Sequence, residues 1–320
     1  MTVHQEDSGQ TDRIAGVLLG AACGDALGVP YEFATPPGPD EAPEMIGGGL
    51  GPYAPGEYSD DTQMAVCIAR VAASGADLRE ESALDAVATG FLEWLREGAS
   101  DVGMQTRRVL EGALAAGSRP PALTMRTITA TLHEKTGRTA GNGSLMRTGV
   151  VGLNHLADPV ATAEAARAVS ELTHFDPLAG DACVLWCEGV RQAVLDGTFD
   201  GVRAGLDLLP PERRDRWADW LTEAESRPPG DFIPNGFVVQ ALQAAWSSIT
   251  HTPGTGTEHL VAALATAVRI GDDTDTVAAI AGALLGARWG ASAIPAHWRR
   301  SVHGWPGLVA EDLIDLARRV

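Results

Sequence analysis

Helical patterns cover most of this chain of 320 residues. Apolar residues recur at three- and four-residue spacing in nine segments, and we find no series of short β-branched runs with alternating polarity. Asp158 and Asp176, each followed by proline, are typical of a helix N-cap and first turn. The sequence therefore predicts an all-α fold. The predicted helices cover residues 12–28, 60–73, 79–98, 159–172, 177–196, 236–249, 257–269, 274–287 and 307–319.

Charge and composition exclude several classes of protein. The chain has 24 basic and 42 acidic residues and a formal charge of −18, so nucleic acid backbones and anionic membranes are not expected partners. Four cysteines do not make a disulfide scaffold. The start is polar and acidic, unlike a signal peptide, and the apolar stretches 14–23 and 277–287 are too short and glycine-rich to span a bilayer. We therefore predict a soluble, cytoplasmic protein.

Two acidic clusters are the strongest chemical signal. The first, residues 59–62, reads Ser-Asp-Asp-Thr, and the second, residues 271–276, reads Gly-Asp-Asp-Thr-Asp-Thr. Each precedes a strongly apolar helix, so ordinary N-caps in solvated loops are one interpretation. A hard divalent cation held by carboxylate and hydroxyl oxygens is the other, and the presence of two such clusters favours it. A shared site requires the clusters to meet, which predicts one domain over residues 12–320 after a flexible N-terminus, 1–11.

Six motifs in order give the chain a resemblance to a known family. They are residues 16–33 (GVLLGAACGDALGVPYEF), 58–62 (YSDDT), 141–147 (GNGSLMR), 173–177 (THFDP), 235–239 (NGFVV) and 271–276 (GDDTDT). Together they are similar to the signature motifs of the ADP-ribosylglycohydrolase family, over about residues 12–290. The resemblance implies one orthogonal all-α domain with a binuclear site for two Mg²⁺ or Mn²⁺ ions, which hold the vicinal hydroxyls of the distal ribose.

The same resemblance implies roles for individual residues. The implied metal ligands are Ser59, Asp60, Asp61, Asp273, Asp275 and Thr276. Glu32 matches a mobile glutamate over the metals, and Asp101 is a candidate general acid. Asp60 or Asp61, with Glu32 as alternative, is a candidate to accept the proton of the attacking water. The implied substrate contacts are Gly103, Met104, Gln105, Asn142, Gly143, Ser144, His174 and Phe237, with Phe237 or a tryptophan stacked on adenine.

Four positions need separate comment. Asp25 lies on an otherwise apolar helix face, so we interpret it as structural, a cap or brace for the metal loop. Ser59 replaces the more common threonine and keeps the hydroxyl. Asp272 stands where the family usually has glycine, which adds an acidic group beside the ligands. Met104 replaces a more usual polar residue.

The sequence thus predicts a metal-dependent hydrolase that cleaves the glycosidic bond between ADP-ribose and a protein side chain or small acceptor. One alternative is a module that binds ADP-ribose without turnover. A second is a structural protein on the same scaffold, and a third is a hydrolase of another ribose-containing metabolite. The first two predict loss of acidic ligands that this chain retains.

Overall fold

The computed structural model describes residues 3–117 and 119–320, which form fifteen α-helices and one two-stranded sheet. The α-helices are α1 (Val3–Gly28), α2 (Asp60–Ala72), α3 (Glu81–Arg96), α4 (Met104–Ala116), α5 (Pro121–Thr136), α6 (Leu145–Thr148), α7 (Pro159–Glu171), α8 (Pro177–Asp196), α9 (Gly201–Ala204), α10 (Pro211–Ser226), α11 (Val238–Thr250), α12 (Gly256–Arg269), α13 (Thr274–Trp289), α14 (Ala296–Ser301) and α15 (Ala310–Arg318). Strands β1 (His303–Gly304) and β2 (Leu308–Val309) pair antiparallel. The predicted all-α class is confirmed.

The helix starts and the number of helices differ from the prediction. α1 begins at Val3, although the sequence predicted a start at residue 12. Residues 1 and 2 lie outside the described residues, and the flexibility of segment 1–11 stays a prediction. Six helices of the described chain were missed. Few residues of α4, α5 and α10 are apolar and buried, and α6, α9 and α14 have only four to six residues each. In α10 the structure buries Trp217, Leu221 and Ala224 among sixteen mostly polar residues. Too few apolar residues therefore recur at helical spacing to indicate a helix.

Helices α1 and α13 pack closely enough for their backbones to touch. A Cβ on Gly20 of α1 would lie 2.3 Å from the carbonyl oxygen of Gly282 on α13, so both positions need glycine for this approach. At the end of α1, a Cβ on Gly28 would lie 2.3 Å from the Cα of Asp275. The contact places the end of α1 against the start of α13. The glycines of α1 on this face are Gly16, Gly20, Gly24 and Gly28.

One helical segment of the described chain, Ser8–Tyr31, is long and apolar enough to cross a membrane by length and composition. It is longer than the predicted apolar stretch 14–23. However, 83% of its most apolar window is buried inside the protein. Packing against α13 accounts for its apolar character.

Candidate metal centre and substrate cavity

Asp25 joins the end of α1 to the start of α2. Its Oδ1 accepts hydrogen bonds from the backbone N–H and the hydroxyl of Ser59, both at 2.8 Å. Its Oδ2 accepts from the N–H and the hydroxyl of Thr62, at 3.0 and 2.6 Å. Burial raises the pKa of Asp25 to about 6, and these hydrogen bonds oppose the rise. The bracing contact predicted for Asp25 is therefore present, and it satisfies N–H groups that the α2 N-terminus would otherwise leave unpaired.

The two acidic clusters meet at this point. Carboxylate oxygens of Asp25, Asp61 and Asp275 lie within 4.8 Å of one another, and so do those of Glu32, Asp101 and Asp275. Asp275 belongs to both groups, at the start of α13. The contact between α1 and α13 thus brings together acidic residues that are more than 200 positions apart.

Unsatisfied oxygens make this cluster a candidate cation site. The Ser59 hydroxyl has one proton but lies near three carboxylates: 2.8 Å from Asp25, 3.1 Å from Asp61 and 3.3 Å from Asp275. Asp61 Oδ1 is buried and makes no hydrogen bond within the described residues. Buried carboxylate oxygens without donors are costly unless a cation or a proton compensates them. The donor set, carboxylates and hydroxyls, suits Mg²⁺ or Mn²⁺.

Asp273 is held by two asparagines. Asn142 Nδ2 donates to Asp273 Oδ2 at 2.7 Å and to the carbonyl of Asn235 at 3.1 Å. The side-chain oxygen of Asn235 accepts from the Asp273 N–H at 2.9 Å, and its Nδ2 donates to the carbonyl of Gly271. Three distant segments are therefore joined beside the cluster. The role of Asn235 was not predicted, although its motif was recognised.

The electrostatics agree with a site that needs a positive charge. Burial and mutual repulsion raise the pKa values of Asp60, Asp61 and Asp275 well above the ordinary 3.8. Burial, followed by the charge of Asp101 and other nearby aspartates, raises the pKa of Glu32 to about 9. With a pKa of about 9, Glu32 favours its protonated form at neutral pH in the metal-free cluster, and a divalent cation would displace that proton.

A cavity of about 420 Å³ opens directly above the carboxylates. The start of α4 and the loop 141–143 form its walls, and His174 lies at its side. Most of the predicted site residues line it: Glu32, Asp60, Asp101, Gly103, Met104, Gln105, Asn142, Gly143, His174, Asp273, Asp275 and Thr276.

Four predicted residues do not line this cavity. Ser59 and Asp61 lie beneath it, in the buried carboxylate cluster. Ser144 is fully buried, and its hydroxyl accepts a hydrogen bond from Ser170 at 2.9 Å, so it faces the core. Phe237 is 40% exposed and lines a neighbouring depression of about 410 Å³, which shares the backbone of residues 141 and 236 with the cavity.

A family model for ADP-ribosylglycohydrolases matches residues 6–320. The chain belongs to the ADP-ribosylglycohydrolase family. This confirms the predicted resemblance, and it confirms the predicted enzyme class, a hydrolase acting on glycosidic bonds of ADP-ribose, at the level of the family.

Individual members of the ADP-ribosylglycohydrolase family match over most of their length. ADP-ribosylarginine hydrolase Tri1 of Pseudomonas putida (strain GB-1) is 29% identical over 97% of this chain and 80% of its own. ADP-ribosyl-dinitrogen reductase glycohydrolase of Rhodospirillum rubrum is 30% identical over 90% of this chain and 89% of its own. A solved structure described as an ADP-ribosylglycohydrolase-related protein complex superposes with a TM-score of 0.73 and 28% identity, covering 98% of both chains.

The backbone at Asp272 adopts a conformation that favours glycine. Asp272, where the family usually has glycine, has a φ of +57°. Glycine adopts this left-handed conformation without strain, and aspartate is one of the few other residues that tolerate it. The carbonyl of Asp272 accepts a hydrogen bond from the N–H of Phe33 at 2.8 Å, and Phe33 also has a positive φ, +47°. This contact ties the segment of Glu32 to the segment of Asp273.

The rim of the cavity is apolar, and sequence reasoning did not identify most of it. Met104 is 91% exposed, Phe33 64% and Leu50 59%, and all three line the cavity. Met104 was noted only as a departure from the family pattern. Phe33 follows Glu32 directly in a recognised motif, and this position in the sequence indicated that Phe33 lies near the site. Leu50 lies within the glycine-rich run 47–51, which has no motif of its own.

Proposed function

We propose that this protein is a binuclear Mg²⁺- or Mn²⁺-dependent hydrolase that releases ADP-ribose from a side chain or a small acceptor. The proposal depends on one observation: buried carboxylates, some of whose oxygens lack hydrogen-bond donors, form the floor of a cavity large enough for a ligand. The ions would be held by Ser59, Asp60, Asp61, Asp273, Asp275 and Thr276. When bound, they supply Lewis acidity and positive charge that orient the vicinal hydroxyls of the distal ribose.

The position of each carboxylate suggests how protons move. Asp60 and Glu32 line the cavity, whereas Asp61 lies beneath it. We therefore assign Asp60 as the base that accepts the proton of the attacking water, with Glu32 as the alternative. Asp101 also lines the cavity, and burial raises its pKa. A carboxyl group whose pKa is raised by burial holds its proton more readily and can donate it to the leaving group, so we assign Asp101 as the general acid of the proposal.

The remaining walls suit the rest of ADP-ribose. The N-terminus of α4, from Gly103 to Thr106, faces the cavity with backbone N–H groups that would bind the diphosphate of an anionic ligand in an acidic protein. Phe237 is exposed in the adjoining depression, where its ring would stack on adenine. Phe33 at the cavity rim is the second aromatic side chain to test for that role.

The acceptor follows from the relatives. One similar protein is described as an ADP-ribosylarginine hydrolase and another as acting on ADP-ribosylated dinitrogen reductase. We therefore propose an ADP-ribosylated protein as substrate, with arginine as the first linkage to test. Cytoplasmic location stays a prediction.

The test begins with calorimetric titration of ADP-ribose into metal-stripped protein, with and without Mg²⁺ or Mn²⁺. We expect binding that depends on the metal. Peptides ADP-ribosylated on arginine or on serine then report turnover by release of ADP-ribose. Metal-dependent binding without turnover of either peptide would favour a binding module, and equal affinity with and without metal would refute the metal site. Asp219→Asn, which changes an exposed aspartate on α10, is a matched control for variants of the acidic cluster.

A further inference from the structure

Arg147 is a fully buried arginine without an acidic partner. Its guanidinium makes no ion pair within residues 3–117 and 119–320, and its Nε has no hydrogen-bond partner there. It stacks 4.6 Å from the ring centre of Phe91 and donates to the sulfur of Met64 at 3.6 Å. Its one strong hydrogen bond goes to the hydroxyl of Thr173, at 2.7 Å. A buried charge whose acceptors, one hydroxyl and one thioether sulfur, are both neutral is costly for stability, which suggests a role in positioning neighbouring groups.

The bonding of Thr173 determines where its proton goes. Arginine has no acceptor atom, so the Thr173 hydroxyl must accept from Arg147. Thr173 is fully buried, and its hydroxyl has one other partner among the described residues, Nδ1 of His174 at 2.8 Å. The hydroxyl proton is satisfied only if Nδ1 accepts it. A neutral imidazole that accepts at Nδ1 carries its proton on Nε2.

The other ring nitrogen of His174 faces the substrate cavity. His174 lines the cavity, and its Nε2 would lie 3.3 Å from a Cβ placed on Gly141 and 3.4 Å from one placed on Gly143. Within the described chain, Nε2 makes no hydrogen bond, so it is free to bond a ligand. Burial and the charge of Arg147 lower the pKa of His174 to about 3, which agrees with a neutral ring.

We propose that Arg147 and Thr173 are positioning residues that fix His174 as the Nε2–H tautomer, so that it donates a hydrogen bond to an oxygen of ADP-ribose. The identity of the ligand rests on the proposed function, whereas the tautomer of His174 follows from its hydrogen bonds. Thr173 is also suited to the role because its own carbonyl accepts from Gln105 and from Thr129, both at 2.8 Å. These bonds hold the backbone of Thr173 in place independently of its hydroxyl.

The first test is NMR of the ring nitrogens in ligand-free protein, with the His174 signals assigned by their loss in His174→Ala. We expect a protonated Nε2 and an unprotonated Nδ1 between pH 6 and 8. An Nδ1–H tautomer or an imidazolium in the wild type would overturn the proposal without any variant having to fold. Thr173→Val removes the hydroxyl at nearly constant shape and should give a mixture of tautomers, whereas Thr173→Ser should keep the wild-type pattern. An unchanged tautomer in Thr173→Val would also overturn it.

The second test is calorimetry of ADP-ribose binding in the presence of Mg²⁺. Loss of one neutral hydrogen bond predicts roughly three- to tenfold weaker binding by Thr173→Val, with recovery in Thr173→Ser. In a His174→Ala background, Thr173→Val should have no further effect, because it acts through the imidazole. A full additional loss in that background would show a merely structural effect and overturn the proposal. Failure of the wild type to bind ADP-ribose would refute the proposed function and the ligand contact, whereas the NMR result decides the tautomer by itself.

Discussion

Replacing Asp275 with asparagine should change the stability of the protein in opposite directions with and without metal. Asp275 belongs to two groups of carboxylates whose oxygens lie within 4.8 Å. At that distance two negative charges repel by about 3.5 kcal/mol in an effective dielectric of about 20. Protonating a carboxylate with an ordinary pKa of 3.8 costs about 4 kcal/mol at pH 7. This cost is an upper limit on the repulsion energy, because the cluster takes up a proton when the repulsion would exceed it.

Asp275→Asn removes this charge at nearly constant shape. The substitution also weakens the contact between residue 275 and the Ser59 hydroxyl, which is 3.3 Å long in the wild type. This loss offsets about 1 kcal/mol of the gain in stability. We therefore expect the metal-free variant to be more stable than the wild type by about 1–3 kcal/mol. For a chain of this size, with an unfolding entropy of about 0.7 kcal/mol/K at Tm, that is roughly 2–4 °C in Tm.

Added cation should reverse the order. At a free concentration about 1,000-fold above Kd, one bound ion stabilises the wild type by about 4 kcal/mol, or roughly 6 °C. The variant, which lacks a ligand shared by both carboxylate groups, should gain less than about 1 °C at the same concentration. Thermal unfolding followed by circular dichroism, with chelator and with Mg²⁺ or Mn²⁺, measures both effects. A metal-free variant less stable than the wild type, or equal metal-induced shifts in both proteins, would refute the reasoning, and Asp219→Asn should behave as the wild type does.

Four further outcomes are expected. Asp272→Gly should raise the free energy of unfolding by about 1 kcal/mol in denaturant titrations, because the residue has a φ of +57°; a loss of stability would contradict this strain. Glu32→Gln should lower kcat more than it weakens metal binding measured by calorimetry, and equal losses would indicate a metal ligand instead. Because the carboxylate pKa values are raised in the folded protein, the metal-free Tm should fall as pH rises from 6 towards 9, while metal affinity increases with proton release; flat profiles would contradict both expectations. Gly282→Ala should destabilise the protein by about 2–3 kcal/mol, since its Cβ would lie 2.2 Å from the carbonyl oxygen of Gly20, whereas Gly230→Ala, with open space around it, should be neutral.

Local patterns were enough to predict part of the fold. Helices α7 and α8 begin at the two Asp-Pro pairs, and in both the aspartate accepts hydrogen bonds from the first turn. Helices α4, α5 and α10 were missed because they bury few side chains, and hydrophobic period is the signal that sequence reasoning uses. The four-residue spacing of glycines on α1 was a readable signal for a close helix contact, and it was not used.

The sequence by itself determined the helical class, the family and the residue types of the candidate site. These depend on local periodicity and on motifs whose order is preserved along the chain. Only the tertiary structure decided which side chains face the cavity: Asp60 lines it, Asp61 lies beneath it, and Ser144 faces the core. The contact between Ser59 and Asp275 joins residues 216 positions apart, and it exists because two helices approach through glycine. Side-chain direction at such a crossing depends on the packing of every neighbouring helix, and a local pattern contains no information about that packing.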